Sequence, residues 1–222
     1  MPCDHFSPES VAFLKDLRSN NNKLWFEQNR RIYETYLLEP LRALAVRSGS
    51  TLHAINPNIE TRPQIGKTIS RIYRDTRFSR SKLPLRDHVW LGFRDRSLAN
   101  ESTPSFFFYI EVEEWGYGMG FWQASTAAME DIRARLMAQP SRGQKLVQDR
   151  LLQRRFSLEG EKYRRMRNAE LPPKLLDLYN YRSFYYIQRQ PMGEKLFSEI
   201  LWEEITEGFR ILGPIYRYVT GI

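Results

Sequence analysis

Apolar residues near the N-terminus recur with the spacing of one helical face. Ser7 is followed by a proline and an acidic residue, a combination typical of the first turn of a helix. Val11, Leu14 and Leu17 then fall on one side of that helix. The pattern predicts a helix that begins after Ser7 and ends near Ser19.

A second amphipathic helix is predicted after the asparagine run at residues 20–22, which is typical of a turn and a helix cap. Trp25 and Phe26 begin its wide apolar stripe, and both are expected to be buried. Pro40 lacks an amide proton and is expected to kink or restart the helix. The helical stretch that follows is expected to stop at Gly49.

From Lys67 the pattern changes to short β-branched or aromatic runs separated by Pro, Asn, Ser or Gly. These runs predict strands of an antiparallel meander at residues 69–73, 89–93, 106–112 and 117–122. Helices are predicted again after Ser125 and Pro140, and a long closing helix from about 193 toward 213. Two further strands are predicted at residues 156–158 and 184–188.

Helices, then strands, then helices with further strands are typical of an α+β protein with a largely antiparallel sheet. The sheet is expected to come from the central segment 67–122 plus one or two later strands, packed by N- and C-terminal helices. We expect residues 1–222 to form a single domain. Its parts are a helical portion at about 7–49, the sheet core at about 67–122, and a helical and β portion at about 125–220.

Composition is typical of a globular protein with a sizeable core, since 41% of the 222 residues are hydrophobic. The single cysteine, Cys3, excludes a disulfide framework or a cysteine metal cluster within the chain. No uncharged apolar run approaches the roughly 20 residues that a membrane span requires. We therefore expect a cytoplasmic protein that has no membrane partner.

Positive charge is concentrated in two segments of a chain whose formal net charge is +8. Residues 62–96 hold ten basic and three acidic side chains, and residues 149–167 hold seven basic and three acidic ones. Such segments favour a phosphate-bearing small molecule or nucleic acid as the partner. The bias toward arginine suits bidentate phosphate contacts, although a GC-rich genome would also produce it.

The stretch SRIYRDTRFSRSK, at residues 70–82, is the densest part of the first basic segment. The basic residues predicted to hold an anion in and after this stretch are Arg71, Arg74, Arg77, Lys82 and Arg86. Asp75 would orient one of the guanidinium groups by a bidentate contact. The alternative is a structural salt bridge from Asp75 to Arg77 or Arg74 that holds the loop to the sheet.

The candidates for acid or base catalysis are Asp75, His88 and Glu111. His88 lies close to the basic stretch, where a histidine can exchange protons near neutral pH, although a lone histidine is more often structural. Glu111 and Glu113 would share a sheet face and ligate a divalent cation, or instead pair with neighbouring arginines. No histidine spacing indicates a metal site, and no cofactor motif is present.

Aromatic side chains are dense between residues 106 and 122, beside the basic stretch. Eight of them are candidates for a nucleic-acid stacking surface or for the core of a covered sheet, and the core is the preferred interpretation. They are Phe106, Phe107, Phe108, Tyr109, Trp115, Tyr117, Phe121 and Trp122. The GYGMG run at 116–120 lacks a Walker lysine, so it predicts a strand with close backbone approach, not a phosphate loop.

Three motifs carry a resemblance to a known family: NNNKLWFEQNRRIYE at 20–34, ISRIYRDTRFSRSKLP at 69–84, and GMGFW at 118–122 followed by an Ile132-Arg133 helix. Together they make the chain similar to the bacterial and fungal family called domain of unknown function 2461. Departures from the family pattern occur at Ser81, Leu85 and Ala124. The resemblance implies a shared α+β fold and carries no established activity, cofactor or catalytic residue.

Three classes of function remain open from the sequence. The favoured one is an Arg-rich anion-binding module for a phosphorylated ligand or nucleic acid. The alternatives are a small enzyme acting on a phosphate- or carboxylate-bearing substrate, and a structural or interaction protein whose arginines are purely structural. The sequence indicates neither a specific reaction nor an oligomeric state.

Overall fold

The computed structural model describes residues 4–77, 82–99, 101–167 and 169–222. Helices from both ends of the chain pack against a five-stranded antiparallel sheet in this described part, so the predicted α+β fold class is confirmed. Cys3, Arg80 and Ser81 lie outside the described residues. Among the helices described, none combines the length and the apolar character needed to cross a bilayer.

The helices are numbered in chain order, and they precede, separate and follow the strands. They are α1 (Pro8–Ser19), α2 (Lys23–Tyr33), α3 (Glu39–Ile55), α4 (Thr126–Ala138), α5 (Pro140–Val147), α6 (Arg150–Arg155), α7 (Pro173–Tyr179), α8 (Glu194–Phe197) and α9 (Leu201–Thr220). A π-helical turn at Glu34–Leu38 joins α2 to α3. The strands are β1 (Val89–Phe93), β2 (Ser105–Ile110), β3 (Glu114–Gly120), β4 (Ser157–Lys162) and β5 (Tyr181–Pro191).

Local signals determine where the first two helices begin. Helix α1 begins directly after Ser7, and the side chain of Asn22 caps α2 by accepting a hydrogen bond from the amide of Trp25 at 2.9 Å. Phe26 is fully buried, as predicted. Trp25 is half-buried and packs its ring 5.6 Å from that of Phe13, so its predicted burial is only partial.

The sequence predicted that the helix kinks or restarts at Pro40, and α3 begins there, at Glu39, directly after the π-helical turn. The π-helical turn precedes Pro40, and the carbonyl of Tyr36, which proline cannot satisfy, accepts a hydrogen bond from the hydroxyl of buried Ser10. The predicted stop at Gly49 is wrong, because α3 runs to Ile55. Burial of its last two turns against the core outweighs the roughly 1 kcal/mol that a glycine costs within a helix.

Two later predictions are confirmed with different bounds and one is wrong. The strands expected at 156–158 and 184–188 are present as the longer β4 and β5. The closing helix does not run unbroken from 193, since α8 ends at Phe197 and α9 begins at Leu201. Helix α9 also passes Gly213 and Pro214, because its apolar face is buried through Val219.

The strand predicted at residues 69–73 is absent as a continuous element. Isolated bridges form instead: Ile69 pairs with Leu91 and, on its other side, with Ile65, and Tyr73 pairs with Leu85. Between the bridges to Leu91 and Leu85, the five residues 69–73 lie opposite the seven residues 85–91. A regular ladder of hydrogen bonds cannot be kept across strands of unequal length. Residues 70–77, the described start of the basic stretch, are therefore irregular chain, bonded to β1 at Ser70 and to the segment before β1 at Arg74.

The strand order across the sheet is β1-β2-β3-β5-β4. Directly opposite residues share one face of a sheet, and the register pairs Gly92 with Phe107, Phe107 with Gly118, and Gly118 with Ile187. The strand predicted for the GYGMG run is confirmed as part of β3. Its glycines allow close approach, since a Cβ at Gly118 would lie 2.0 Å from the carbonyl oxygen of Tyr186.

One face of the sheet lies against the helices and forms the core. Phe209 of α9 places its ring 6.0 Å from Phe93, 5.3 Å from Phe106 and 6.1 Å from Tyr117, so three adjacent strands meet one helix residue. The opposite face carries half-exposed aromatic rings at Trp90, Phe107, Tyr109 and Tyr185, which we call the open sheet face. The groove described below lies beside this face.

Candidate anion-binding groove

A groove of about 550 Å³ runs beside the open sheet face, between segments 66–71 and 120–123. We call it the basic groove. Among the described residues that line it, four side chains are basic and one is acidic: Lys67, Arg71, Arg86, Arg94 and Glu101. Its walls therefore favour a negatively charged occupant.

Segment 66–71 is a rigid wall because it is bonded to the edge of β1. Gly66 adopts a φ of 81°, in the left-handed region that glycine enters without strain. The amide of Gly92 donates to the carbonyl of Thr68 at 2.8 Å, and the amide of Ser70 donates to the carbonyl of Trp90 at 3.0 Å. These bonds fix the backbone from which the basic side chains of the wall project.

Arg86 is held in place by two backbone carbonyls and an aromatic ring. Its guanidinium donates to the carbonyls of Arg71 at 3.0 Å and Tyr73 at 3.1 Å, and it lies 4.9 Å from the centre of the Trp90 ring. Burial, with the nearby charge of Arg74 as the second cause, lowers the pKa of Arg86. A guanidinium held in this way stays charged at neutral pH and is stabilised by an added anion.

Arg71 is placed to contact a ligand directly. Its side chain is exposed and folds toward Gly66, where a Cβ would lie 3.4 Å from its Nε atom. Within residues 4–77, 82–99, 101–167 and 169–222, its guanidinium has neither a hydrogen-bond acceptor nor an ion-pair partner. Lys67, which follows Gly66 in the turn of segment 66–71, is also exposed. So is Arg94, which directly follows the last residue of β1.

Two tryptophans border the groove. Trp90 is half-buried, with the ring of His88 stacked on it at 5.6 Å. Trp122 is 99% exposed, although the neighbouring Phe121 is only 3% exposed and anchors the same segment in the core. The Trp122 ring is therefore open to contact by a ligand in the groove.

The open sheet face is shaped by the glycines of β3. A Cβ at Gly118 would lie 2.9 Å from the tip of the Phe107 ring, and a Cβ at Gly116 would lie 2.8 Å from the Tyr109 ring. Both rings therefore lean across β3 over positions that have no side chain. The hydroxyl of Tyr109 donates to Glu114 at 2.6 Å, which fixes this ring in place.

The residues predicted to hold an anion separate into two groups in the structure. Arg71 and Arg86 line the basic groove together. Arg74 is close enough to Arg86 to affect its pKa, and the Nε atom of Arg74 is buried without a hydrogen-bond partner in the described part of the chain. Arg77 and Lys82 make local contacts instead, and neither is a groove residue.

Asp75 and Arg77 form an ion pair, as the structural alternative predicted, but this pair is local and exposed and does not join the loop to the sheet. The guanidinium of Arg77 donates to the carboxylate of Asp75 at 3.0 and 2.7 Å, and these bonds lower the pKa of Asp75 to about 2. The side chain of Arg77 is 77% exposed and that of Asp75 is 52% exposed, so the pair contributes little to stability. Lys82 likewise donates to the carbonyl of Thr76 at 3.1 Å.

The candidate acids and bases do not converge on the groove. His88 lies 3.3 Å from Asp87, whose carboxylate also accepts from Arg18 at 2.6 Å. Because β2 ends at Ile110, Glu111 lies in the connection to β3, and its expected strand position beside Glu113 is wrong. No group of three or more potential metal ligands occurs among the residues described.

The eight aromatic residues between 106 and 122 divide between the two interpretations of the sequence. Five are buried, as the core interpretation predicted: Phe106, Phe108, Trp115, Tyr117 and Phe121. Phe107 and Tyr109 are half-exposed, and Trp122 is almost fully exposed. The alternation along β2 thus places one set of rings in the core and the other beside the groove.

A comparison with protein families matches residues 9–218 to the family described as "Conserved hypothetical protein (DUF2461)". The chain belongs to this family. The DUF2461 match spans α1 through nearly all of α9 and includes every strand, so it confirms the resemblance carried by the sequence motifs. No curated protein matches the chain. The description of the DUF2461 family names no reaction or ligand, and the function is therefore argued from the groove.

Proposed function

We propose that this protein is a binding module for a phosphate-bearing ligand, held in the basic groove. One observation carries the proposal: four basic side chains and a single acidic one surround a cavity of about 550 Å³ among the described residues. This volume lies within the roughly 300–1,000 Å³ typical of ligand sites. Arginine is the side chain best suited to paired hydrogen bonds with phosphate oxygens.

The basic residues have different parts in this proposal. Arg86 is fixed by two backbone carbonyls and by Trp90, so it provides a positive charge that is positioned before the ligand arrives. Arg71 is exposed, and it provides the direct contact. The repulsion between Arg74 and Arg86, which contributes to the lowered pKa of Arg86, is relieved by an anion nearby.

Binding is favoured over catalysis by the positions of the ionisable groups. None of the three candidate acids and bases, Asp75, His88 and Glu111, lines the described walls of the groove. Asp75 is held ionised by Arg77 and makes a poor proton donor near neutral pH. A purely structural role fits Arg77, which pairs with Asp75, but does not account for the exposure of Arg71.

Thermal unfolding in phosphate and in chloride at equal ionic strength tests the proposal. At a hundredfold excess over Kd, phosphate should stabilise the parent by about 2.7 kcal/mol. For a chain of this size, that corresponds to a rise in Tm of roughly 5–10 °C. Arg71→Gln should remove most of the rise because it removes the direct contact.

The matched control is Arg154→Gln, which makes the same charge change on an exposed residue of α6. This variant should keep the full rise in Tm. Equal rises for the parent and for both variants would contradict a phosphate site at Arg71.

A further inference from the structure

We propose that the ligand is single-stranded nucleic acid, with its phosphates in the basic groove and its bases stacked on Trp122 and on the rings of the open sheet face. This inference rests on the proposed function and extends it from phosphate to a polymer. It is carried by the aromatic surfaces, which a ligand consisting of phosphate alone would not use.

The stacking surfaces form a continuous path beside the groove. Trp90 and Tyr109 are directly opposite each other on β1 and β2, and Phe107 lies two residues from Tyr109 on the same face. Phe107 and Tyr185 are in edge contact at 6.5 Å. Every base has an apolar face, so such rings hold successive bases with little regard to sequence.

The glycines of the sheet keep this path accessible. Gly92, Gly116 and Gly118 share the open sheet face with the rings, and none of them adds a side chain above the sheet. At Gly92 a Cβ would meet nothing within 4 Å, so the space above the end of β1 is open. A flat ligand can therefore approach the rings from above.

Charge differs between the two sides of the open sheet face. On the β5 side, Arg189 is neutralised by Glu159 and Glu114. On the β1 side, the described lining of the groove includes four basic residues and one acid, Glu101. The phosphates are thus attracted to the β1 side, while the bases extend over β2 and β3.

Exposed bases are required for this arrangement, and a single strand has them. In a duplex the bases are paired and stacked inside the helix, where rings lying on a sheet do not reach them. Trp122, 99% exposed at the opposite rim from segment 66–71, is placed to stack on a base from the other side of the groove.

Fluorescence anisotropy of two labelled polymers tests the inference. One is an oligothymidylate of about ten nucleotides, within the range of known single-strand site sizes. The other is an abasic strand of the same length, which keeps the sugars and phosphates and lacks the bases. The parent should bind the oligothymidylate more tightly than either the abasic strand or a duplex of that length.

Trp122→Ala should weaken oligothymidylate binding about tenfold, as expected for the loss of one stacked base, and should leave abasic-strand binding unchanged. The variant is expected to fold normally because the ring is almost fully exposed. Leu24→Ala, at a residue 70% exposed on α2, is the control and should change neither affinity. Arg71→Gln should weaken the binding of both polymers. It should also reduce the slope of log K against log salt concentration by about 0.7, the value for one lost phosphate contact.

The outcomes separate this inference from the function on which it rests. If the parent binds the two polymers with equal affinity, and Arg71→Gln lowers both affinities, base stacking is overturned and the phosphate site stands. If Arg71→Gln lowers the affinity for either polymer no more than Arg154→Gln does, both proposals are overturned. If the Trp122→Ala variant binds oligothymidylate as tightly as the parent, Trp122 does not belong to the site and the proposed arrangement is overturned.

Discussion

Gly118→Ala is expected to destabilise the protein by more than about 3 kcal/mol, above the usual cost of overpacking. The added Cβ would lie 2.0 Å from the carbonyl oxygen of Tyr186 and 2.9 Å from the Phe107 ring. A backbone oxygen cannot move aside as a flexible side chain does, so β3 and β5 must separate locally. In urea the unfolding midpoint should fall by about 1 M or more.

Gly92→Ala is the matched control for this prediction. The residue occupies the same face of the sheet on β1, and a Cβ there would meet nothing within 4 Å. Its effect should be neutral or stabilising, by up to about 1 kcal/mol, because alanine restricts the unfolded chain. A similar loss of stability in both variants would show that strand propensity, and not the closeness of β5, determines the outcome.

Phe209→Ala is expected to cost about 3–5 kcal/mol in the free energy of unfolding, as for other large core truncations. Its ring is fully buried and contacts rings from β1, β2 and β3, so removal leaves a cavity between α9 and the centre of the sheet. The urea midpoint should fall accordingly, and the folded fraction of the variant should decrease at physiological temperature.

Leu24→Ala provides the comparison for Phe209→Ala. This leucine is 70% exposed on α2, and its truncation should change stability by no more than about 0.5 kcal/mol. An equal effect of the two substitutions would contradict the packing of α9 against the sheet.

The sequence predicted the elements whose signals are local. Helix α2 begins at the residue its cap requires, since Asn22 accepts from the amide of Trp25. The alternation in β2 was visible as a run of aromatic residues, but the face each ring occupies depends on pairing with β1 and β3. That pairing is a property of the whole sheet and has no local signal. The single-domain organisation stays a prediction.

Elements that depend on distant packing were predicted less well. Gly49 resembles a helix end, yet the following turns are buried and the helix continues to Ile55. The β-branched and aromatic residues at 69–73 resemble a strand, yet the facing chain is two residues longer between the bridges. Neither fact can be obtained from the composition of the segment itself.

The candidate site was predicted in part. Charge density pointed to Arg71 and Arg86, which line the groove, and equally to Arg77, which pairs with Asp75 two residues before it. Lys67, Arg94, Trp90 and Trp122 were not singled out as anion-site residues, although Lys67 and Arg94 belong to the basic segment 62–96. The groove joins segments far apart in the sequence, so only the sheet register brings these residues together.

The most direct test of the phosphate site is a crystal structure of the protein grown with tungstate, a phosphate-like oxyanion that is located by its anomalous scattering. The account predicts an anomalous peak in the basic groove, with tungstate oxygens within hydrogen-bond distance of the Arg71 guanidinium and close to Arg86. Tungstate bound only outside the groove, or a groove without any anion while Arg71 contacts a carboxylate of its own chain, would contradict it.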